Sequence, residues 1–331
     1  MAEAFLALSD ADKREALGVA ATQSGRPPHV LEKDVWVVWT LAALFESPQA
    51  QHLVFKGGTS LSKAYGVIDR FSEDIDITYD IRELIGELTG PGEAPIPDNN
   101  SQQKKWRKAI DTELPAWVEG TLAPYLDARL KGQSLKASIE PAADKLWIRH
   151  APVSEGWGYM KPDVMVEFGG RSTGLPVAEI AITCDAAEFL DGLEFPTATP
   201  RIMRVDRTFW EKATAVHVFC RQGQLNSERL ARHWYDLVRL DDAGYAATAI
   251  ANRDLALQVA EHKQAFFAAK GIDYIAAVEG GLALVPEGDL LERLKADYLA
   301  MVEGGLLAAD APPFTVLIER CQALEALANG R

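Results

Sequence analysis

The stretch HLVFKGGTSLSKAYGVIDRFSEDIDITYD, His52 to Asp80, combines a strand, a glycine turn, a helix start and a second strand with spaced carboxylates. Leu53, Val54 and Phe55 form a short apolar run that stops at Gly57-Gly58. Thr59 and Ser60 then offer hydroxyl caps to a helical pattern over Leu61 to Tyr65. Glycines leave no side chain between backbone and ligand, and a helix start presents unpaired N–H groups, so the turn is a candidate phosphate cradle. It is neither a Walker A loop nor a Gly-x-Gly-x-x-Gly fingerprint.

In Ser72-Glu73-Asp74-Ile75-Asp76-Ile77-Thr78, aspartates alternate with isoleucines. Residues two apart on a strand share a face, so Asp74 and Asp76 point one way while Ile75 and Ile77 enter a core. Two like charges side by side call for a cation, and magnesium is a hard ion that accepts a few carboxylates together with water and substrate phosphate. A third carboxylate is expected where two metals are bridged. In Val164-Met165-Val166-Glu167-Phe168 the apolar residues share one face and Glu167 takes the other, whereas Asp163 falls outside that pattern. The alternative is that Asp74 and Asp76 line the solvated face of an edge strand.

At 331 residues and 48% hydrophobic content the chain can bury a substantial core in two structural units. No apolar run approaches a membrane helix, and Met-Ala-Glu-Ala lacks the charged start of a secretory signal. Three scattered cysteines, Cys184, Cys220 and Cys321, indicate neither a zinc site nor a disulfide framework, and a cytoplasmic setting is expected. The six histidines show no ligand spacing, and His-Glu-x-x-His and Gly-x-Ser-x-Gly are absent, so zinc and triad hydrolysis are excluded. A net charge of −14 argues against general nucleic-acid affinity but leaves room for a local basic groove. Lys104-Lys105-Trp106-Arg107-Lys108 is one basic cluster, and Arg201, Arg204 and Arg207 form another. Either reads as a track for an RNA backbone, with a base stacked on Trp106, and the first reads equally as a solvated helix face.

Helices are expected over 1–20, 30–46, 81–88 and 104–131. Strands are expected over 135–140, 145–150, 161–168 and 178–183. The polar loop over 95–103, after Gly90-Pro91-Gly92, reads as a lid or a plain surface insertion. From 206 onward the pattern is helical, over 206–221, 227–240, 253–269, 288–302 and 314–328. The expected division is a core over 1–200 and an all-helical domain over 201–331. Lys33 and Asp34 read as structural ion-pair partners. Asp236 stands four residues after Arg232, which alone would make a helical ion pair, and Lys212 alone would pair with Glu211 or another neighbour.

Phe-Lys-Gly-Gly-Thr-Ser-Leu-Ser-Lys followed by Arg-Phe-Ser-Glu-Asp-Ile-Asp-Ile resembles the AbiEii/AbiGii (MenT-like) toxin family, nucleotidyltransferases related in fold to DNA polymerase β. Leu31-Glu32-Lys33-Asp34-Val35-Trp36 is similar to its N-terminal signature, Trp210-Glu211-Lys212-Ala213-Thr214-Ala215 to its Glu-Lys-x-x-Ala helix, and Arg232-His233-Trp234-Tyr235-Asp236-Leu237 to its Tyr-Asp-Leu motif. Beyond about residue 245 no family motif is visible. The resemblance implies an α+β fold with a small mixed sheet flanked by helices and a helical C-terminal domain. It implies transfer of a nucleoside monophosphate from an NTP, with pyrophosphate leaving, in a toxin–antitoxin or abortive-infection system. Mg2+, or Mn2+, would sit on Asp74, Asp76 and Glu167. Lys56, Gly57, Gly58, Thr59, Ser60, Lys63 and Ser72 would hold the nucleotide, with Lys212 neutralising charge on the leaving group and Asp236 organising the site. The implied acceptor is RNA, the tRNA 3′ end, and an antitoxin is the implied partner. The rival expectations are a protein hydroxyl as acceptor and a non-catalytic interaction module that keeps the fold.

Overall fold

The computed structural model describes residues 3–70, 72, 74–90, 92–157, 160–223, 228–307 and 310–331. Phe71 and Glu73 of the motif, Pro91 of the expected break and Ser227 at the expected helix start lie outside the described residues. Two units emerge. The first comprises residues 1–64, 73–95 and 104–202, and the second 65–72, 96–103 and 203–331. The chain changes unit close to residue 200, and the second unit also takes up two short segments from the N-terminal half.

In the first unit, α1 (Asp10–Ser24) starts where the Ser9 hydroxyl accepts the Asp12 N–H, and it ends at Gly25 in the left-handed region. Eight residues of the expected helix therefore precede the cap. Helix α2 (Pro28–Phe45) opens on a proline in its first turn and is buried almost all round from Leu31 to Leu44. Strand β1 (Leu53–Lys56) runs directly into α3 (Gly57–Lys63). Strand β2 (Ile75–Tyr79) leads to α4 (Ile81–Thr89), capped by the Asp80 carboxylate. Helices α5 (Asn100–Trp117) and α6 (Ala123–Gly132) follow, then β3 (Ala137–Ala142), β4 (Lys145–His150), β5 (Val164–Gly169), β6 (Val177–Glu179) and β7 (Arg201–Met203).

Among the described residues these seven strands form one mixed sheet in the order β3-β4-β5-β2-β1-β7-β6. β2 lies antiparallel to β1 and parallel to β5. Alternation along β5 is clean, with Val164, Val166 and Phe168 buried and Glu167 on the other face. Ile75 and Ile77 are likewise fully buried, which turns Asp76 to the face that Glu167 occupies.

The second unit is helical: α7 (Val205–Gln222), α8 (Arg232–Asp242), α9 (Tyr245–Ala251), α10 (Arg253–Phe266), α11 (Asp289–Glu303) and α12 (Phe314–Ala328). The short helix α9 falls where no helix is expected from the sequence. Gly244, left-handed at φ 79°, breaks the apolar pattern between α8 and α9. Among the described residues no helix is long and apolar enough to cross a membrane.

Candidate active site

The turn after β1 is tighter than the sequence reading. Helix α3 begins at Gly57, with Lys56 as its cap residue, so Thr59 and Ser60 lie inside the first turn rather than ahead of it. Both side chains are buried and spent internally. Thr59 Oγ1 donates to the Asp74 carbonyl at 2.5 Å, and Ser60 Oγ donates to the Gly57 carbonyl at 2.9 Å. The first bond ties the glycine turn to the start of the aspartate strand.

Gly57 has φ 83°, and a Cβ added there would collide with the Asp76 carboxylate. Only glycine fits, because the backbone adopts a left-handed conformation and the acid occupies the space of a side chain. This contact sets the first sequence-predicted carboxylate against the turn.

The strand register sets the others. Lys56 on β1 pairs with Asp76 on β2, Asp76 pairs with Glu167 on β5, and Glu167 pairs with Lys145 on β4. Paired residues on neighbouring strands share a face about 4.8 Å apart. A row of lysine, aspartate, glutamate and lysine thus crosses four adjacent strands. Lys145 Nζ lies 2.8 Å from Glu167 Oε2, and Lys56 Nζ reaches over Gly169, 4.0 Å from where a Cβ would stand. The hydrogen bond that Lys145 donates to Glu167, then the charges of Glu167, Asp144 and Asp74, raise the Lys145 ammonium above the usual lysine range. Asp74 stands just ahead of β2, its carbonyl held by Thr59. Asp163 pairs with Arg149.

The donors present are hard carboxylates, two of them on directly paired strand positions and one held against a glycine cradle, which fits a small divalent cation. Among the described residues, however, no group of three or more acidic, histidine or cysteine side chains is arranged to hold a metal. Glu167 is engaged by Lys145 instead.

Lys63, expected at the phosphates, lies elsewhere. Its Nζ sits 2.6 Å from Asp34 Oδ1 and 2.5 Å from Asp185 Oδ1, with the side chain 12% exposed. The two carboxylates outweigh burial and raise its ammonium above the usual range. Asp34 also accepts the Asp185 N–H at 2.6 Å. Its neighbours on α2 are equally occupied. Glu32 accepts the N–H groups of Val153 and Ser154, each at 2.8 Å, and Lys33 donates to the Lys161 carbonyl at 2.8 Å. The Glu-Lys-Asp signature thus clamps the segment leading into β5 and the far end of α3. Trp106 is also corrected: at 2% exposure it belongs to the core, so no base can stack on it, while Lys104, Lys105, Arg107 and Lys108 are exposed.

In the second unit Lys212 and Asp236 meet directly, Nζ to Oδ2 at 2.6 Å. Asp236 is fully buried and also takes Nε and Nη2 of Arg70 at 2.6 and 2.8 Å. These partners go beyond the Arg232 and Glu211 pairings open in the sequence. Glu211 pairs with Lys263. Burial pushes the Asp236 carboxyl up, but Arg70 and Lys212 outweigh it and hold it below the usual range. For Lys212 burial outweighs Asp236 and pulls the ammonium down. His233 is held well below the ordinary histidine value by burial and by Lys212. Ser72 belongs to the same unit as Arg70. The sequence reading missed Arg70, Lys145 and Asp185. Arg70 stands two residues before Ser72 inside the quoted motif, whereas nothing local marks the other two.

Adjacent carboxylates on paired strands are a donor set of the kind that metal-assisted phosphoryl transfer uses. The sequence matches the family described as nucleotidyl transferase AbiEii toxin, type IV toxin–antitoxin system, over residues 39–320, and the chain belongs to that family. It is a nucleotidyltransferase of the toxin–antitoxin class, and membership implies an NTP substrate and an antitoxin partner. The match runs well past residue 245, where no motif is visible, and begins after the Leu31–Trp36 signature. Among solved structures, MenT4, a nucleotidyltransferase toxin from Mycobacterium tuberculosis, is similar at 19% identity, TM-score 0.49, covering 98% of this chain and 90% of that one. JHP933 from Helicobacter pylori is similar at 16% identity, TM-score 0.42, covering 91% and 92%. A search of curated proteins gave no match.

Proposed function

We propose that the chain transfers a nucleoside monophosphate from an NTP to the 3′ end of an RNA, a tRNA, and that Asp74, Asp76 and Glu167 hold Mg2+ or Mn2+ for the reaction. The observation that carries this reading is the contact of the Asp76 carboxylate with Gly57, continued by the strand pairing of Asp76 with Glu167. The ion, when bound, supplies charge neutralisation on the phosphates and lowers the cost of presenting the acceptor hydroxyl. The chain's own part is positioning. The backbone of Gly57 and Gly58 gives the triphosphate a close approach, and Lys56 offers a cation on the same face. The acceptor hydroxyl oxygen bonds to the α-phosphorus as its proton passes to a neighbouring carboxylate or to water, while the bond from the α-phosphorus to the bridging β-phosphate oxygen breaks and pyrophosphate leaves, so no covalent enzyme intermediate is needed. Thr59 and Ser60 contribute by fixing the turn, and Lys63 by anchoring α3. Lys212, Asp236 and Arg70 form a buried ion-pair set within the second unit, and the parts of Ser72, Lys212 and Asp236 rest on the motif resemblance alone.

The exposed basic residues of α5 support an RNA acceptor. The net charge of −14 argues against general nucleic-acid affinity, and the rival acceptor is a protein hydroxyl. Incubation with labelled NTPs and total tRNA together with cell protein separates them. Label at tRNA 3′ ends supports the proposal, and label on protein alone rejects it.

A further inference from the structure

We propose that Lys145 is a displaceable counter-ion for the site: its ammonium holds Glu167 away from the aspartates until a divalent cation takes that carboxylate. The inference rests on the reading of Asp74, Asp76 and Glu167 as the cation-binding set. Three observations carry it. Lys145 is the register partner of Glu167 on the next strand, so the pair is built into the sheet rather than formed by a passing surface side chain. The 2.8 Å contact is made with both side chains substantially open, 36% and 46% exposed, and such pairs are weak enough to exchange. Among the described residues no group of three carboxylates is arranged to hold a metal, and the Glu167 carboxylate is engaged by Lys145.

The contrast with Lys63 sharpens the point. Lys63 is wedged between two carboxylates at 12% exposure and has nowhere to go. Lys145 can swing into solvent without leaving a buried charge behind. When it does, Glu167 becomes available beside Asp76, and a cation is left at the rim of the row where triphosphate oxygens would lie. Lys145 is thus a positioning residue that acts through Glu167.

Calorimetric titration of the full chain with Mn2+ in the absence of nucleotide tests this. Lys145→Met should tighten Mn2+ binding roughly two- to fivefold, the strength of an exposed ion pair. Lys145→Arg should restore affinity close to wild type. In a Glu167→Gln background the same Lys145→Met change should alter affinity less than twofold, because the carboxylate it competes for is gone. An equal gain in both backgrounds would reduce Lys145 to a general field effect and overturn the proposal. Unchanged or weaker binding in Lys145→Met, with binding abolished in Asp76→Asn, would overturn it while leaving the cation site standing. Full Mn2+ binding by Asp76→Asn would remove the site reading itself, and the proposal with it.

Discussion

Two ion-pair systems in this chain are made of the same chemistry and differ in their surroundings. On the sheet of the first unit, Glu167 and Lys145 meet at 2.8 Å with side chains 46% and 36% exposed. In the second unit, Asp236 meets Arg70 and Lys212 at 2.6 Å each, at 0%, 6% and 10% exposure. Water screens the first pair, so its charges can exchange partners at little cost. The second is sealed, so removing one member strands the others without solvent. Open charges suit a site that must bind and release an ion and a nucleotide. Sealed charges suit a fixed frame.

The contrast breaks most visibly if the sheet row carries structure rather than chemistry. Asp76→Asn should lower nucleotidyl transfer by about 10³-fold or more, with a thermal midpoint within a few degrees of wild type. Parallel transfer assays and thermal melts check this, and a large loss of stability would merge the two systems. Conversely, Asp236→Ala should cost about 3–5 kcal/mol in chemical denaturation, since Arg70 and Lys212 would be left buried and unpaired. Gly57→Ala lies between them. It should cost about 10²-fold in transfer by pushing the Asp76 carboxylate aside, together with about 1–3 kcal/mol of backbone strain at φ 83°.

Acid should separate the systems by sign. Against the upward push of burial, Arg70 and Lys212 hold Asp236 low, and Lys263, Arg207 and His262 do the same for Glu211. A carboxyl depressed in the folded state stabilises above its unfolded value, near pH 4, and that stability is lost as pH falls toward the folded value. Denaturation midpoints should therefore stay level from pH 7 to 5 and fall below pH 4, by on the order of 2 kcal/mol for Asp236. An Asp236→Asn variant should show a shallower fall. The smallest effect concerns the acceptor. Lys104→Glu with Lys108→Glu should raise KM for RNA roughly tenfold at low salt, with little change in kcat. An unchanged KM would move the acceptor off α5.

Much of the first unit was legible because its signals are local. Alternation in Asp74 to Thr78 and in Val164 to Phe168 reports which face each acid takes, and the glycine pair marks the turn. Pairing across strands is not local. That Glu167 stands opposite Asp76 depends on the β2–β5 register, and that Lys145 stands opposite Glu167 depends on β4, neither of which periodicity reveals. Lys63 and Trp106 were misread for a related reason. A lysine near a phosphate-type turn and a tryptophan among basic residues look exposed in one dimension, whereas Asp34 and Asp185 arrive from 29 residues before and 122 residues after Lys63 to enclose it. The pairings of Asp236 with Lys212 and with Arg70 emerged from the packing alone.

The central claim is that the carboxylate row beside Gly57 is where ion and triphosphate meet. Crystals grown with Mn2+ and a non-hydrolysable NTP analogue, measured at the manganese absorption edge, test it most directly. The account predicts an anomalous peak within bonding distance of Asp76, about 2.2 Å, with the analogue's phosphates over the Gly57 turn. Ordered manganese and nucleotide bound away from Asp74, Asp76 and Glu167 would contradict it.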